Sequence, residues 1–350
     1  MLLAVPCWSA GWTVLISTVL PLLAAPLCQQ MARRLAAQLH REAAAAGPAG
    51  LEVEALFQRY ALDTVAAVAL GIDARAVENP HGEMALRARA LVARPSPWGV
   101  LLRAAAARLG LTCGRPAAAP DQRDPFAFFA RVSRQEMARR RAAPEHQRDD
   151  ALQLLLEARG PEGLPLPEDE VVAQCVMLFL GGYGNTAAAL AWSARCLAHH
   201  PHVQERLCRE LDARLTSSSS SDVLELVESM PYLDQVVREV LRLFPAATPQ
   251  LARCVTAPYQ LPSGGLALPL HAAVYVPVFS IHRDGDLYPE PDQFEPERFA
   301  LKLALVEVLV RSEFVLVARS GSVQPRFLPG AGALRESGGT WLGLRARGTD

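Results

Sequence analysis

This 350-residue chain contains a glutamate and an arginine three positions apart, a spacing that suggests direct contact between their side chains. Glu239 and Arg242 lie in a helical stretch, where positions i and i+3 share one face, so their side chains can form an ion pair. Read alone, such a pair is most often exposed to solvent and contributes little to stability. The context is more specific, because the run HRD follows at 282–284 and the run PEPDQFEPERF at 289–299.

A glycine-rich segment within a long apolar stretch is the second set of residues that could take part in chemistry. Gly181 and Gly182 weaken a helix locally, because glycine is a poor helix former. Asn185 and Thr186 place an amide and a hydroxyl directly after them. The alternative is that the glycine pair is only a kink in a buried helix.

Helical patterns must position most of these residues, and strand patterns begin only near residue 250. A long central helix is predicted over 168–200, because prolines and then three acids mark its start. A shorter helix over 234–243 carries the glutamate–arginine pair. Strand-like runs dominate 250–299, and a final helix and a hairpin are predicted within 300–347. This order predicts a mainly α fold with a small β part.

Three earlier helices are also predicted. Apolar residues recur at every fourth position from 27 to 39 in a stretch that begins near Leu20. The run 51–70 is amphipathic, and Gly71 is a natural stop. The run 124–141 ends in three arginines, which we interpret as a solvated helix terminus that complements the helix dipole.

The N-terminal segment is apolar, and residues 1–29 contain no charged side chain. This length can span a bilayer, but three prolines interrupt it. A membrane segment, a signal-like segment and the start of a buried helix all remain open. We treat 1–19 as an unassigned apolar leader and 20–350 as one partial domain.

Composition excludes several classes of function. The chain is 51% hydrophobic with a formal net charge of -1, which is typical of a globular protein and not of a nucleic-acid-binding one. Its seven cysteines form no C-x-x-C pair, so no metal site is predicted from them.

The E-x-x-R helix, the H-R-D run and the P-E…F-x-P-E-R-F run together resemble the cytochrome P450 family. In that family the glutamate and arginine of the helix join a later arginine in a buried charge cluster behind the haem. The resemblance implies a cluster of Glu239, Arg242 and Arg298. The fold it implies is an incomplete cytochrome P450 fold.

The family resemblance also assigns roles to the central helix. Gly181 and Gly182 match the glycines of an A-G-x-(D/E)-T motif, where oxygen binds above the iron, and they count as cofactor-contacting positions. The acid position of that motif holds Gly184 and its alcohol position holds Asn185, with Thr186 one place later. In monooxygenases the acid and the alcohol relay protons, so Asn185 and Thr186 are the candidate catalytic positions. Arg253 resembles a haem-propionate contact. The cofactor expected for the family is haem b.

One departure from the family pattern is severe. The iron ligand of the family lies in F-x-x-G-x-R-x-C-x-G, directly after the E-R-F run. Here Phe299 continues into ALKLAL, which resembles the helix after that loop, and no cysteine occupies the ligand position. We therefore expect this chain to bind haem weakly or not at all, because a haem thiolate needs a cysteine there.

Three functions follow from the resemblance. The run MPYLDQVVREVLRLFP resembles the clan that holds both the family 3 monooxygenases and the thromboxane-synthase branch. Asn185, the segment before the central helix and the closing hairpin resemble the synthase branch, whose members isomerise a prostaglandin endoperoxide. A family 3-like monooxygenase of lipids, steroids or xenobiotics is the alternative, and only this one needs a reductase partner. A non-catalytic, haem-free splice form or gene-model remnant is the third. The resemblance implies a hydrophobic small-molecule substrate, membrane association at the endoplasmic reticulum and no nucleic acid.

Overall fold

The computed structural model describes most of the chain, in ten segments. They are residues 20–92, 124–143, 145, 148–160, 163–217, 223–246, 250–261, 265–298, 312–315 and 341–346. The chain divides into two compact units, Met1–Ala187 and Ala188–Asp350. The apolar leader 1–19 and the predicted final helix within 300–311 lie outside the described residues.

The first unit is built from helices. In chain order they are α1 Leu20–Ala46, α2 Val53–Leu70, α3 Glu83–Val92, α4 Pro125–Ala142, α5 Ala151–Glu157 and the first part of α6, Glu168–His199. A 3-10 turn, Gly47–Ala49, and the two-residue strand β1, Leu51–Glu52, connect α1 to α2. Met31, Leu35 and Leu39 on α1 are buried, as their spacing predicts, and α1 packs along α2.

The boundaries of α2 follow from its capping residues. The Glu52 carboxylate accepts hydrogen bonds from the N–H groups of Glu54 and Ala55, at 3.0 and 2.8 Å, so the helix begins at Val53 and not at the predicted residue 51. Gly71 ends the helix in the left-handed conformation with φ 63°, as predicted.

Of the three arginines at the end of α4, Arg139 and Arg141 are exposed, as the predicted solvated terminus requires, but Arg140 contradicts that prediction. Arg140 is buried, with 3% of its surface exposed. Its guanidinium donates to Asp150 at 2.6 and 2.7 Å and to the main-chain carbonyl of Leu70 at 2.8 Å. This cation therefore satisfies a C-terminal carbonyl of the neighbouring helix α2, since such carbonyls lack partners within their own helix.

Helix α6 spans 32 residues and confirms the predicted central helix to within one residue. It begins with Glu168, Asp169 and Glu170, the acids that favour a helix N-terminus. Among the described helices it is the one long and apolar enough to cross a membrane by length and composition, and half of its most apolar window is buried.

The second unit contains the end of α6, three further helices and most of the strands. The helices are α7 Pro201–Ser217, α8 Val223–Glu228 and α9 Pro231–Leu243. Helix α9 begins three residues before the predicted 234, because Pro231 occupies its first position, where a missing N–H costs nothing. The Glu210 carboxylate on α7 then accepts from the N–H groups of Tyr232 and Leu233, at 3.0 and 3.1 Å.

Small antiparallel pairs make up the β part, which confirms the predicted mainly α fold. Strand β2, Leu251–Cys254, pairs with β5, Ala273–Val276, and β3, Tyr259–Gln260, pairs with β4, Ala267–Leu268. The predicted C-terminal hairpin strand is β7, Trp341–Ala346, which pairs with β6, Ser312–Val315.

The strand-rich character expected for 250–299 ends at Val276. The short helix α10, Val278–Ile281, and a 3-10 turn, Pro296–Arg298, are the regular elements within 277–298. Prolines at 277, 289, 291 and 296 explain the difference, because each removes a donor that a strand ladder needs. This irregular segment, residues 277–298, is called the meander below.

Candidate functional site: the glutamate–arginine pair and the central helix

The glutamate–arginine pair of α9 is buried in the second unit. Glu239 has no exposed surface, and Arg242 has 2% of its surface exposed. Two parallel hydrogen bonds join them, from Arg242 Nε to Glu239 Oε2 at 2.7 Å and from Arg242 Nη2 to Glu239 Oε1 at 2.8 Å. This bidentate geometry is the strong form of a guanidinium–carboxylate contact. The exposed pair that isolated i, i+3 spacing favours is thus the wrong interpretation here.

The same two side chains hold the meander against α9 through its main chain. Arg242 donates to the carbonyls of His282, Pro291 and Gln293, at 2.6, 2.7 and 3.1 Å. Glu239 accepts the N–H of Glu295 at 2.9 Å. The meander is irregular, so these main-chain groups have no partners in a helix or sheet. The side chains of the pair supply the hydrogen bonds that regular secondary structure would otherwise provide.

The third member of the expected charge cluster is placed only in part. Arg298 ends the 3-10 turn Pro296–Arg298, which lies against α9. Its side chain is outside the described part of the chain. The three-member cluster Glu239, Arg242 and Arg298 therefore stays a prediction, whereas the contact between the first two is a feature of the structure.

The H-R-D run contributes further contacts to the end of α9. His282 Nδ1 donates to the carbonyl of Arg242 at 3.2 Å, so the two residues are joined in both directions. Arg283 donates to the carbonyl of Leu243 at 2.7 Å and to Asp292 at 3.1 Å. Burial lowers the pKa of His282, and the hydrogen bond to Arg242 only partly opposes this effect. The imidazole is therefore neutral at neutral pH.

The glycine segment of the central helix lies in the first unit, within a continuous helix. Gly181 is exposed, and a Cβ there would meet no described atom within 4 Å. A Cβ on Gly182 would lie 3.0 Å from Val65 Cγ2, so this glycine allows a close approach of α2. Tyr183 donates to Gln58 on α2 at 3.3 Å.

The positions expected to relay protons, and the threonine that follows them, differ in exposure. Gly184 is buried, Asn185 is half-buried and Thr186 is exposed. Successive helical residues are turned by about 100°, so Thr186 does not occupy the direction of Asn185. The roles of Asn185 and Thr186 in oxygen chemistry, and of Gly181 and Gly182 in cofactor contact, remain predictions from the resemblance.

Arg253, the expected propionate contact, is exposed on β2, and its Nη1 donates to the carbonyl of Ala252 at 2.9 Å. It pairs across the ribbon with Val274. No described contact ties it to the glutamate–arginine pair.

The cysteines available to an iron do not fit a haem thiolate. Such a ligand must be reachable and have a lowered pKa. Burial instead raises the pKa of Cys28 and Cys196, and it raises that of Cys175 to about 12. Cys208 is also buried, whereas Cys254 is exposed on β2. Cys7 and Cys113 lie outside the described residues.

The described residues also contain no group of three histidine, cysteine, aspartate or glutamate side chains that could hold a metal ion. The donor set expected for a haem thiolate, a cysteine shortly after the E-R-F run, is missing from the sequence as well, since residues 300–312 contain no cysteine. The residues present therefore do not fit the iron coordination of the family.

A cavity of about 660 Å³ lies in the second unit beside the glutamate–arginine pair. The end of α6, the start of α7, α9 and the meander line it. The Phe244 ring on its wall stacks on Trp192 with ring centres 4.3 Å apart. Sequence reasoning missed this cavity, because its walls come from four separate segments.

The comparisons with known proteins agree with the helical fold. A family model for cytochrome P450 matches residues 8–304, so the chain belongs to the cytochrome P450 family.

Individual relatives lie in two groups of that family. The chain is 33% identical over 258 residues to the probable cytochrome P450 6a13 of Drosophila melanogaster, which covers 71% of this chain and 50% of that protein. It is 29% identical over 283 residues to cytochrome P450 3A14 of Cavia porcellus, covering 79% and 55%. It is 36% identical over 184 residues to cytochrome P450 3A13 of Mus musculus, covering 51% and 36%. The chain spans about half the length of the curated relatives it matches.

Proposed function

We propose that the cytochrome P450 domain represented by this chain acts on a hydrophobic small molecule, as a family 3-like haem monooxygenase. The main support for this proposal is the buried Glu239–Arg242 pair, which holds the meander against α9. In the family, this scaffold comes directly before the haem loop. Similarity to several 3A proteins supports the subgroup. The proposal includes haem b, a reductase partner and association with the endoplasmic reticulum membrane for the whole protein.

A second candidate is an endoperoxide isomerase similar to thromboxane-A synthase. One observation favours it: neither an acid nor an alcohol stands at the two relay positions, which hold the buried Gly184 and the half-buried Asn185. Isomerisation cleaves an O–O bond that the substrate already contains, so it needs no delivered protons from such a relay. It also needs neither molecular oxygen nor a reductase.

For this chain as it stands, we propose that no haem-thiolate centre forms. The described cysteines support this, since Cys175 and Cys196 are buried with raised pKa values, Cys208 is also buried and Cys254 lies on the exposed strand β2. A splice form or an incomplete gene model would account for a missing ligand loop.

Spectroscopy after haem addition tests the thiolate proposal. The purified chain is mixed with hemin, reduced and exposed to carbon monoxide. We expect no long-wavelength Soret band of the kind that a ferrous, carbon-monoxide-bound thiolate haem gives. A matched variant with an F-x-x-G-x-R-x-C-x-G loop inserted between Phe299 and Ala300 is expected to show that band. A band in the unaltered chain would overturn the proposal.

The loop-restored variant also separates the two reactions. A monooxygenase oxidises a steroid or lipid only with reductase, NADPH and oxygen, whereas an isomerase converts a prostaglandin endoperoxide without them. Conversion of the endoperoxide in anaerobic buffer without reductase would favour the second candidate over the first. Asn185→Thr provides a control, because a restored alcohol should raise only the oxygen-dependent reaction.

A further inference from the structure

The cavity beside the glutamate–arginine pair has the size and the walls of a small-molecule site. Its volume of about 660 Å³ falls within the range of roughly 300 to 1,000 Å³ that is usual for such sites. Tyr232, Phe244 and Phe294 supply aromatic walls. Aromatic rings pack favourably against one another in offset and edge-on arrangements, so these walls favour a ligand that itself contains an aromatic ring.

The acids and guanidinium groups around the cavity balance one another. The lining carries two arginines and three acids, which are Arg195, Arg206, Asp292, Glu295 and Glu297. Arg206 forms an ion pair with Glu297, and Asp292 pairs at 3.1 Å with Arg283, which lies outside the lining. Together with Arg283 these residues hold three charges of each sign, so they offer a ligand no net charge. Because a charge that leaves water without a partner is costly, the cavity favours an uncharged ligand.

One imidazole on the lining provides a hydrogen-bond acceptor. His200 Nδ1 lies 2.8 Å from the carbonyl oxygen of Cys196. A carbonyl only accepts hydrogen bonds, so Nδ1 carries the proton and Nε2 keeps its lone pair. Burial lowers the pKa of His200 and the hydrogen bond to Cys196 opposes this effect, so the ring is neutral at neutral pH. No residue in the described part of the chain forms a hydrogen bond with Nε2, which can therefore accept one from a ligand.

An apolar ring lies directly beside this acceptor. The ring centre of Phe294 is 4.9 Å from that of His200, and the two ring planes are tilted by 46°. Phe294 has 9% of its surface exposed, and Phe244 is stacked on Trp192, so both phenylalanines are held in place by their own packing. An acceptor next to an apolar ring suits a ligand whose O–H donor is attached to an aromatic ring.

We propose that this cavity binds an uncharged aromatic alcohol, whose hydroxyl donates to His200 Nε2 and whose ring packs against Phe294. The site goes beyond the proposed function, because its residues need no haem. All of the residues on its lining belong to the second unit.

Isothermal titration calorimetry of the full chain with 2-naphthol, at neutral pH and without haem, tests the proposal. We expect saturable binding of one 2-naphthol per chain. The methyl ether of 2-naphthol has the same rings but no O–H donor, so it should bind at least about threefold more weakly. A hydroxynaphthoate, which adds a carboxylate, should bind at least about tenfold more weakly than 2-naphthol, because the cavity offers this charge no net counter-charge.

Two variants locate the donor's partner. His200→Phe removes the acceptor and keeps an aromatic ring, so the affinity for 2-naphthol should fall at least about threefold while that for the methyl ether does not fall. The preference for the alcohol should therefore disappear. His81→Phe, at an exposed histidine of the first unit, is the matched control and should keep that preference.

Several outcomes would overturn the proposal. Absence of saturable 2-naphthol binding would refute the site, and equal affinity for the alcohol and its methyl ether would refute the acceptor, as would a preference that persists in His200→Phe. Hydroxynaphthoate binding as tightly as 2-naphthol would refute the uncharged class of ligand. If His200→Phe loses its native circular dichroism, Phe294→Leu takes its place and should weaken both neutral ligands at least about twofold; unchanged affinities would then refute the site. None of these outcomes bears on the thiolate proposal, since all are measured without haem.

Discussion

Replacing Arg242 by methionine removes the group that joins α9 to the meander. Methionine has a similar length and no charge, so the change removes the hydrogen bonds while leaving most of the packing. Arg242 makes two hydrogen bonds to Glu239 and three to main-chain carbonyls of the meander. All five bonds are lost in Arg242→Met.

The expected cost follows from burial. Glu239 has no exposed surface, so the variant leaves a buried carboxylate without its guanidinium. Breaking a buried pair by removing one partner costs about 3 to 5 kcal/mol of unfolding free energy. Natural domains have only about 5 to 15 kcal/mol in total, so the second unit should lose a large part of its stability.

Urea unfolding followed by circular dichroism measures the change, and limited proteolysis shows whether the meander opens first. Arg134→Met is the matched control, because Arg134 pairs with the largely exposed Asp169 at 2.7 Å and such pairs contribute about 0 to 1 kcal/mol. The double variant Glu239→Leu/Arg242→Met should cost less than the sum of the two single variants, since it leaves no buried charge.

A loss below about 1 kcal/mol for Arg242→Met, equal to that of the control, would refute the reasoning. Additive costs in the double variant would also contradict it, because they would mean that the two side chains act independently.

Three further predictions concern caps and pH. Gly71→Ala should cost at least about 1 kcal/mol in urea unfolding, because the residue has φ 63° and its new Cβ would lie 2.6 Å from Asp150 Oδ2; a neutral or stabilising result would contradict the left-handed cap. Glu210→Ala should cost about 0.5 to 2 kcal/mol, because the first turn of α9 loses two hydrogen bonds, whereas Glu210→Gln should keep part of that stability. Because burial lowers the pKa of His282, the unfolded chain takes up a proton more readily than the folded one, and stability should fall as pH drops below about 6.5. His282→Gln should flatten that part of the pH profile, and an unchanged profile would exclude His282 as its source.

Local signals predicted the helices well where the stabilising groups are near in sequence. Gly71 ends α2 because a left-handed residue is needed there, and the acids at 168–170 mark the start of α6 because they face its positive end. The predicted start of α9 is three residues too late, although Pro231 is a local signal for it, and the Glu210 carboxylate that accepts from the first-turn N–H groups lies on another helix. A cap supplied from another element leaves no signal in the segment that it stabilises.

The sequence by itself determined the family, the mainly helical class and the missing iron ligand, because each depends on residue identity and spacing along the chain. Only the tertiary structure decided that Arg140 is buried, that Arg242 binds three carbonyls of the meander and that Phe244 lines a cavity in the second unit. The physical reason is that burial and main-chain hydrogen bonding arise between segments many residues apart. The type of a side chain does not show which distant carbonyl it will bond, because only the fold brings the two groups together.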